Sequence, residues 1–133
     1  MIQGSCLCGR IAYELRAPLR TMYYCHCRMC RKASGSSFAT NLVVNTDDFV
    51  IVAGHSFLKS HESSPNEYRH FCGECGSPIY GEAALRPGVV AVRCGTLNED
   101  PGIGCSYHIY TGSKSSWFAI SDQLPRFPAA PGE

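Results

Sequence analysis

The chain has 133 residues, of which 44% are hydrophobic and 17% charged, and its formal net charge at pH 7 is +1. This length suits one domain with one core, and the composition is that of a globular protein rather than a disordered polyelectrolyte. A net charge so close to zero argues against a protein that coats nucleic acid, which would carry a basic stripe.

Short strands, separated by glycine, proline, asparagine and aspartate, dominate the predicted secondary structure. The strands are predicted at residues 10–15, 38–44, 49–52, 57–59, 68–71, 78–80, 89–93 and 106–111. A hairpin is predicted around Pro65-Asn66, which is a turn signal, and one helical turn at residues 28–33 before Gly35. Residues 126–133 are predicted as an extended tail, because their prolines disfavour regular structure. We therefore expect a mainly β, antiparallel, single domain over residues 1–133.

Seven of the nine cysteines fall into three short clusters, and this arrangement is the most informative feature of the chain. The clusters are a C-x-C, a C-x-C-x-x-C and a C-x-x-C, formed by Cys6 and Cys8, by Cys25, Cys27 and Cys30, and by Cys72 and Cys75. A closed structural zinc takes four protein ligands, whereas a catalytic zinc keeps one position open. Seven cysteines divide most simply into four and three, so we expect two zinc ions per chain.

The first and third clusters are flanked by glycines, which suit tight turns whose amides approach a thiolate. Two such turns can close one four-thiolate site and staple distant parts of a small domain, so the metal would supply part of the folding free energy. The alternative is a redox C-x-x-C at Cys72 and Cys75. That motif usually sits near a βαβ pattern, and none is visible.

A secreted disulfide scaffold is the alternative to metal binding. The odd number of cysteines, their tight spacing and the lack of signal-peptide features near Met1 all argue against it. We therefore expect reduced cysteines and a cytoplasmic location. No apolar run is long enough to cross a membrane.

The middle cluster is predicted to hold the second zinc with three thiolates. Such a site matches a soft ligand, meaning an incoming thiol held as thiolate, better than it matches the activation of water. The neighbouring Arg28, Arg31 and Lys32 are candidates for binding the carboxylates of a small acidic thiol, although basic residues in a loop are usually only solvated.

The fourth ligand of the second zinc stays open at this point. Water or substrate is one possibility, and closure by a further protein side chain is the other. His26 lies between two ligands, so its side chain is expected to point away. We expect Cys94 to be a small buried hydrophobe and Cys105 a surface thiol. The remaining histidines lack ligand spacing and are expected at the surface or a strand edge: His55, His61, His70 and His108.

These motifs resemble the glutathione-dependent formaldehyde-activating enzyme family, whose domain is shared with centromere protein V. Three segments carry the resemblance, at residues 4–13, 25–35 and 71–78. It continues through the C-terminal third at residues 93–97, 108–110, 113–114, 117 and 124–125. One departure is Cys94, at a position that is commonly apolar in the family.

The resemblance implies a β-tent type of fold with two zinc sites. It implies that Cys6, Cys8, Cys72 and Cys75 hold the structural zinc. It also implies that Cys25, Cys27 and Cys30 hold a second zinc, which the thiol of glutathione would approach.

The activity that the resemblance implies is the condensation of formaldehyde with glutathione to S-hydroxymethylglutathione. We therefore expect a zinc-dependent enzyme of the carbon–sulfur lyase type that acts on a small thiol adduct. The alternatives are a non-enzymatic zinc module that binds a protein partner, and a thiol or metal sensor with a labile zinc.

Overall fold

The computed structural model describes residues 1–132 as two β-sheets and one short helix, and residue 133 of the predicted tail lies outside the described residues. The strands, numbered in chain order, are β1 (Ile2–Ser5), β2 (Ala12–Leu15), β3 (Thr21–Cys25), β4 (Ala39–Asn45), β5 (Phe49–Ala53), β6 (Leu58–Ser64), β7 (Glu67–Cys72), β8 (Pro78–Ala83), β9 (Val89–Arg93) and β10 (Cys105–Ile109). Helix α1 spans Arg28–Ser34. The prediction of a mainly β fold is confirmed.

The larger sheet has seven strands in the order β10-β3-β4-β9-β8-β7-β6. All neighbouring pairs are antiparallel except β10 and β3, which are parallel. The central strands β4 and β9 carry runs of β-branched residues, which favour extended backbone and pack well on a pleated surface. Residues of β3, β7 and β9 line one cavity of the protein, although they are far apart in sequence.

The smaller sheet pairs β1, β2 and β5, with β2 in the centre. The ring of Tyr13 on β2 crosses directly over Gly4 on β1, because a Cβ built on Gly4 would lie 2.1 Å from Tyr13 Cζ. The phenol then reaches Thr96, with an oxygen-to-oxygen distance of 2.6 Å. Only glycine at position 4 leaves room for this ring.

One cluster of buried side chains joins the two sheets. Tyr13 and Leu15 from the smaller sheet belong to the same cluster as Leu42 and Val92 from the larger one. Two predicted metal ligands, Cys6 and Cys72, are also members of the cluster. Binding of a metal ion by these cysteines is therefore coupled to the packing of the core.

Helix α1 begins after Cys27, its N-cap, and ends at Gly35, which has a φ of +67° and donates its N–H to Arg31 O at 2.8 Å. A left-handed glycine is a common way to end a helix. The C-terminal segment then runs along the outer edge of β10. His108 N–H donates to Pro125 O, and Phe127 N–H donates to His108 O, both at 2.9 Å.

Most of the predicted strands are present with shifted ends. The strand predicted at 89–93 has the predicted bounds, and the hairpin turns at Asn66, whose φ is +61°. Strands β1 and β3 were not predicted, and the helix continues one residue beyond the predicted turn. In the part of the chain that the structure describes, no helix has the length and apolar character needed to cross a bilayer.

Candidate functional site

The first and third cysteine clusters come together in space. The Sγ atoms of their four cysteines lie within 4.8 Å of one another: Cys6, Cys8, Cys72 and Cys75. The two turns are built alike. Gly9 has a φ of +79° and donates its N–H to Cys6 O at 3.0 Å, and Gly76 has a φ of +81° and donates to Cys72 O at 2.8 Å. Both positions require glycine, because other residues rarely adopt this backbone.

The spacing of these sulfur atoms suits a tetrahedral zinc. Zinc–sulfur bonds of about 2.3 Å place tetrahedral sulfurs roughly 3.8 Å apart. The Sγ atoms of Cys6 and Cys8 are 3.5 Å apart, and those of Cys8 and Cys72 are 3.8 Å apart. Leu7 N–H also donates to Ser77 Oγ at 2.8 Å and so joins the two turns. The four thiols fit a closed site with no position left for substrate.

The middle cluster forms a second group at the junction of β3 and α1. The Sγ atoms of Cys25, Cys27 and Cys30 lie within 4.8 Å of one another. Cys25 ends β3, Cys27 is the N-cap of α1, and Cys30 lies in the first helical turn. The Sγ of Cys27 accepts the N–H of Cys30 at 3.3 Å. Three soft donors on one side of a turn fit a zinc ion that keeps a fourth position open.

An arginine that the sequence analysis did not select faces this group. Arg69 Nη1 and Nη2 donate to Cys30 Sγ at 3.8 and 3.7 Å, and Arg69 Nε donates to Ser63 Oγ at 3.1 Å. Hydrogen bonds from the neighbouring thiols of Cys25 and Cys27, followed by the charge of Arg69, lower the pKa of Cys30. The environment therefore favours a thiolate at this position.

A cavity of about 510 Å³ opens beside the second cysteine group. It is lined by all three of these cysteines, and its walls come from β3, β7, β8 and β9 and from the C-terminal segment. The charged residues in its lining are three arginines and two glutamates: Arg69, Arg86, Arg93, Glu67 and Glu82. The cavity thus brings three cysteine sulfurs and three guanidinium groups into one wall, which suits a small acidic molecule with a thiol.

Arg93 is held in this wall by its neighbours. Its Nη1 donates to Asn41 Oδ1 at 2.6 Å. Burial lowers the pKa of Arg93 from its ordinary value, and the negative charge of Cys30 opposes that shift. Gly81 on β8 leaves the space for the side chain, because a Cβ there would lie 2.5 Å from Arg93 Nη2.

The backbone at the cavity contains one strained residue. Tyr110 lines the cavity and has a φ of +55°, which is a left-handed conformation for a residue other than glycine. Such a conformation costs on the order of 1 kcal/mol and is often found at functional sites. Tyr110 N–H donates to Ala129 O at 2.9 Å, so the C-terminal segment helps to hold this backbone.

The basic residues selected from the sequence line a different cavity. Arg28, Arg31 and Lys32 surround a second depression of about 470 Å³ together with Trp117. The guanidinium of Arg31 lies 5.8 Å from the ring centroid of Trp117, and this tryptophan is 74% exposed. None of the three basic residues lines the cavity beside the second cysteine group.

The histidines differ from expectation in their burial. His70 and His108 are buried, so a surface position is wrong for both, although His108 lies on the edge strand β10 as the alternative prediction had it. His70 has paired polar partners, Ser60 Oγ at 2.7 Å and Glu82 Oε1 at 2.9 Å, which offset the cost of burial. His26 is fully buried, and its Nε2 lies 2.8 Å from His108 Nδ1.

Cys94 and Cys105 belong to neither cysteine group among the residues that the structure describes. Both are partly buried and pack against the main core cluster. Burial raises the pKa of Cys94 to about 12 and also raises the pKa of Cys105. Both thiols are therefore expected to react slowly.

Comparisons with known proteins agree with the family resemblance of the cysteine motifs. The family model described as Glutathione-dependent formaldehyde-activating enzyme matches residues 1–113. A protein of Halomonas elongata named "Putative glutathione-dependent formaldehyde-activating enzyme" is 29% identical over 131 residues, which cover 92% of this chain and 83% of that protein. A crystal structure of a Rhodobacter sphaeroides protein superposes with a TM-score of 0.59 at 22% identity, covering 77% of this chain and 90% of that one.

Proposed function

Because the chain belongs to the glutathione-dependent formaldehyde-activating enzyme family, we propose that it is a zinc-dependent enzyme of the carbon–sulfur lyase type. The proposed substrate is a small thiol adduct such as S-hydroxymethylglutathione, which forms from formaldehyde and glutathione. The observation that carries this proposal is the second cysteine group, which lies in the wall of a cavity of about 510 Å³ lined by three arginines.

Zinc is the metal that the donor sets fit, since both groups consist of thiols alone. Cys6, Cys8, Cys72 and Cys75 would hold the structural ion, and Cys25, Cys27 and Cys30 would hold the second. When bound, the second ion would favour the thiolate form of a substrate thiol. This division gives two ions with different functions, one for the fold and one for the chemistry.

The proposed reaction joins one thiol and one aldehyde. The thiolate sulfur attacks the carbonyl carbon, a carbon–sulfur bond forms, and the carbonyl π pair moves to the oxygen. The oxygen takes up the proton that the thiol released, so the product is an S-hydroxymethyl thioether whose new hydroxyl group is neutral. The reverse reaction breaks the same carbon–sulfur bond.

The chain's own contribution would be charge and position. Arg69 lies next to Cys30 and would stabilise negative charge on the sulfur atoms. Arg86 and Arg93 line the same cavity, where they would bind the carboxylates of an acidic thiol. We propose them in place of Arg28, Arg31 and Lys32, which face the second depression.

We further propose that the chain acts as one domain, because residues of both sheets share one core cluster. A reducing compartment such as the cytoplasm suits its nine free cysteines.

The first test combines zinc content with turnover for wild type, Cys27→Ser and Cys94→Ser. Wild type should contain two zinc ions, and one of them should respond to glutathione in the presence of a weak chelator. Cys27→Ser should lose that ion and the conversion of formaldehyde plus glutathione, while its circular dichroism stays unchanged. Cys94→Ser is the control, because its thiol lies outside both groups.

Unchanged turnover in Cys27→Ser would contradict the proposal. If both zinc ions resist the chelator and ignore glutathione, and Cys27→Ser unfolds, the second group is structural and the chain is better described as a binding module. Release of one zinc by mild oxidant without any turnover would instead favour a sensor.

A further inference from the structure

A chain of polar side chains leads from the surface to the second cysteine group. The Oδ2 atom of Asp122 lies 2.9 Å from His108 Nε2, and His108 Nδ1 lies 2.8 Å from His26 Nε2. Asp122 is partly exposed, whereas both histidines are buried. His26 is the residue between the cysteines at positions 25 and 27.

The carboxylate sets the direction of these hydrogen bonds. An ionised carboxylate can only accept, so His108 donates from Nε2, and in the neutral form of His108 the Nδ1 atom is an acceptor. His26 must then donate from Nε2. Asp122 is itself fixed, because Leu124 N–H donates to its Oδ1 at 3.0 Å and Arg126 Nη2 donates to its backbone oxygen at 3.2 Å.

Aromatic rings enclose the two histidines. His108 stacks on Tyr24 with the ring centroids 4.7 Å apart, and the rings of His26 and Phe38 are 5.4 Å apart. Phe118 covers Phe38 at 5.0 Å. An apolar surrounding strengthens a satisfied hydrogen bond and makes the loss of one partner costly.

The ring of His26 bears directly on the geometry of the cysteines. Successive side chains of an extended segment point to opposite sides, so an inward His26 directs Cys25 and Cys27 to the other side together. The backbone of His26 is also held, because its N–H donates to Ile109 O at 3.0 Å. Strand β10 therefore fixes both the ring and the main chain of the residue between two sulfur donors.

We propose that Asp122, His108 and His26 are positioning residues for the second metal group, and that the C-terminal segment around Asp122 thereby belongs to the functional unit. This inference deepens the proposed function and rests on it for the identity of the metal. Asp122 lies outside residues 1–113, the part of the chain that the family model matches. None of the three residues needs to touch substrate.

The test compares Asp122→Ala, Asp122→Asn and His26→Phe with a control, Asp100→Ala, in a separate exposed loop. Zinc affinity of each site is measured by chelator competition without thiol or aldehyde, and the weaker site is identified as the one lost in Cys27→Ser. Loss of a group hydrogen-bonded directly to a metal ligand typically weakens a metal site by roughly 10- to 100-fold. These three residues act on the ligands only through the backbone between Cys25 and Cys27, so the low end of that range applies. We expect about a tenfold loss at the second site for Asp122→Ala and His26→Phe, and no change at the first.

Asp122→Asn should recover most of that loss, because its amide oxygen can still accept from His108 Nε2. The ligand-field bands of the Co²⁺-substituted second site should shift in Asp122→Ala and return in Asp122→Asn. The inference is overturned if Asp122→Ala leaves the second site unchanged, or weakens both sites equally. It is also overturned if Asp122→Asn behaves like Asp122→Ala. Because these readouts need no substrate, failure of the carbon–sulfur chemistry would be seen separately.

Discussion

Gly81→Ala offers a way to move one cavity arginine without changing it. The added Cβ would lie 2.5 Å from Arg93 Nη2, whereas ordinary contact begins at 3.4 Å, so the guanidinium must move by 0.9 Å. A displacement of that size along the 2.6 Å hydrogen bond to Asn41 would stretch it to about 3.5 Å, beyond the usual range for such bonds. The displaced guanidinium would then lose one hydrogen bond to a carboxylate of the bound thiol. A hydrogen bond from a charged group contributes about 1.5–3 kcal/mol. The low end of this range corresponds to a loss of about tenfold in affinity for an acidic thiol.

The assay is the dissociation constant of glutathione for the zinc-loaded protein, measured beside that of an uncharged thiol such as 2-mercaptoethanol. Gly81→Ala should weaken glutathione about tenfold and leave the uncharged thiol unchanged. Gly95→Ala is the matched control, because a Cβ at that position has no atom within 4 Å and needs no unusual φ. Equal weakening of both thiols, or no weakening of glutathione, would refute the assigned contribution of Arg93.

Two further predictions concern stability. Cys72→Ala removes a fully buried member of both the core and the first cysteine group, so we expect one zinc to be lost and the free energy of unfolding to fall by several kcal/mol. The control Cys105→Ala should change the free energy of unfolding little, and equal urea midpoints for the two variants would contradict the prediction. Burial raises the pKa of Tyr13 to about 12, so the folded state prefers the neutral phenol and loses up to about 2.7 kcal/mol as pH rises from 10 through 12. Tyr13→Phe should lose only about 1 kcal/mol at pH 7 and show less of that alkaline loss in urea titrations, and parallel pH profiles would show this wrong.

The features most predictable from the sequence are those that depend on local spacing. The three cysteine clusters are recognisable because zinc turns use short spacings, and the structure brings the clusters of positions 6–8 and 72–75 together. The β-branched run 89–93 is a strand with its predicted bounds. Strand β3 was missed because Met22 and Tyr23 are adjacent and both buried, which gives no alternation to recognise.

The cavity could not be predicted, because it depends on the order of strands in the larger sheet. Arg69 meets a cysteine that lies 39 residues before it, and His26 meets a histidine 82 residues after it. No spacing rule connects such pairs. Arg28, Arg31 and Lys32 were selected because they are neighbours of the cysteines in sequence, yet α1 directs them to a different depression.

The docking of the C-terminal segment also affects how the larger sheet ends. An open edge strand offers unpaired N–H and C=O groups to other chains and so favours aggregation. Residues 125–129 cover the edge at β10 through backbone hydrogen bonds. The opposite edge, β6, instead exposes Lys59 and Glu62, and charged side chains on an edge discourage pairing. One edge of the sheet is thus covered by the chain's own backbone and the other is protected by charge, and both features oppose growth of the sheet by addition of a second molecule.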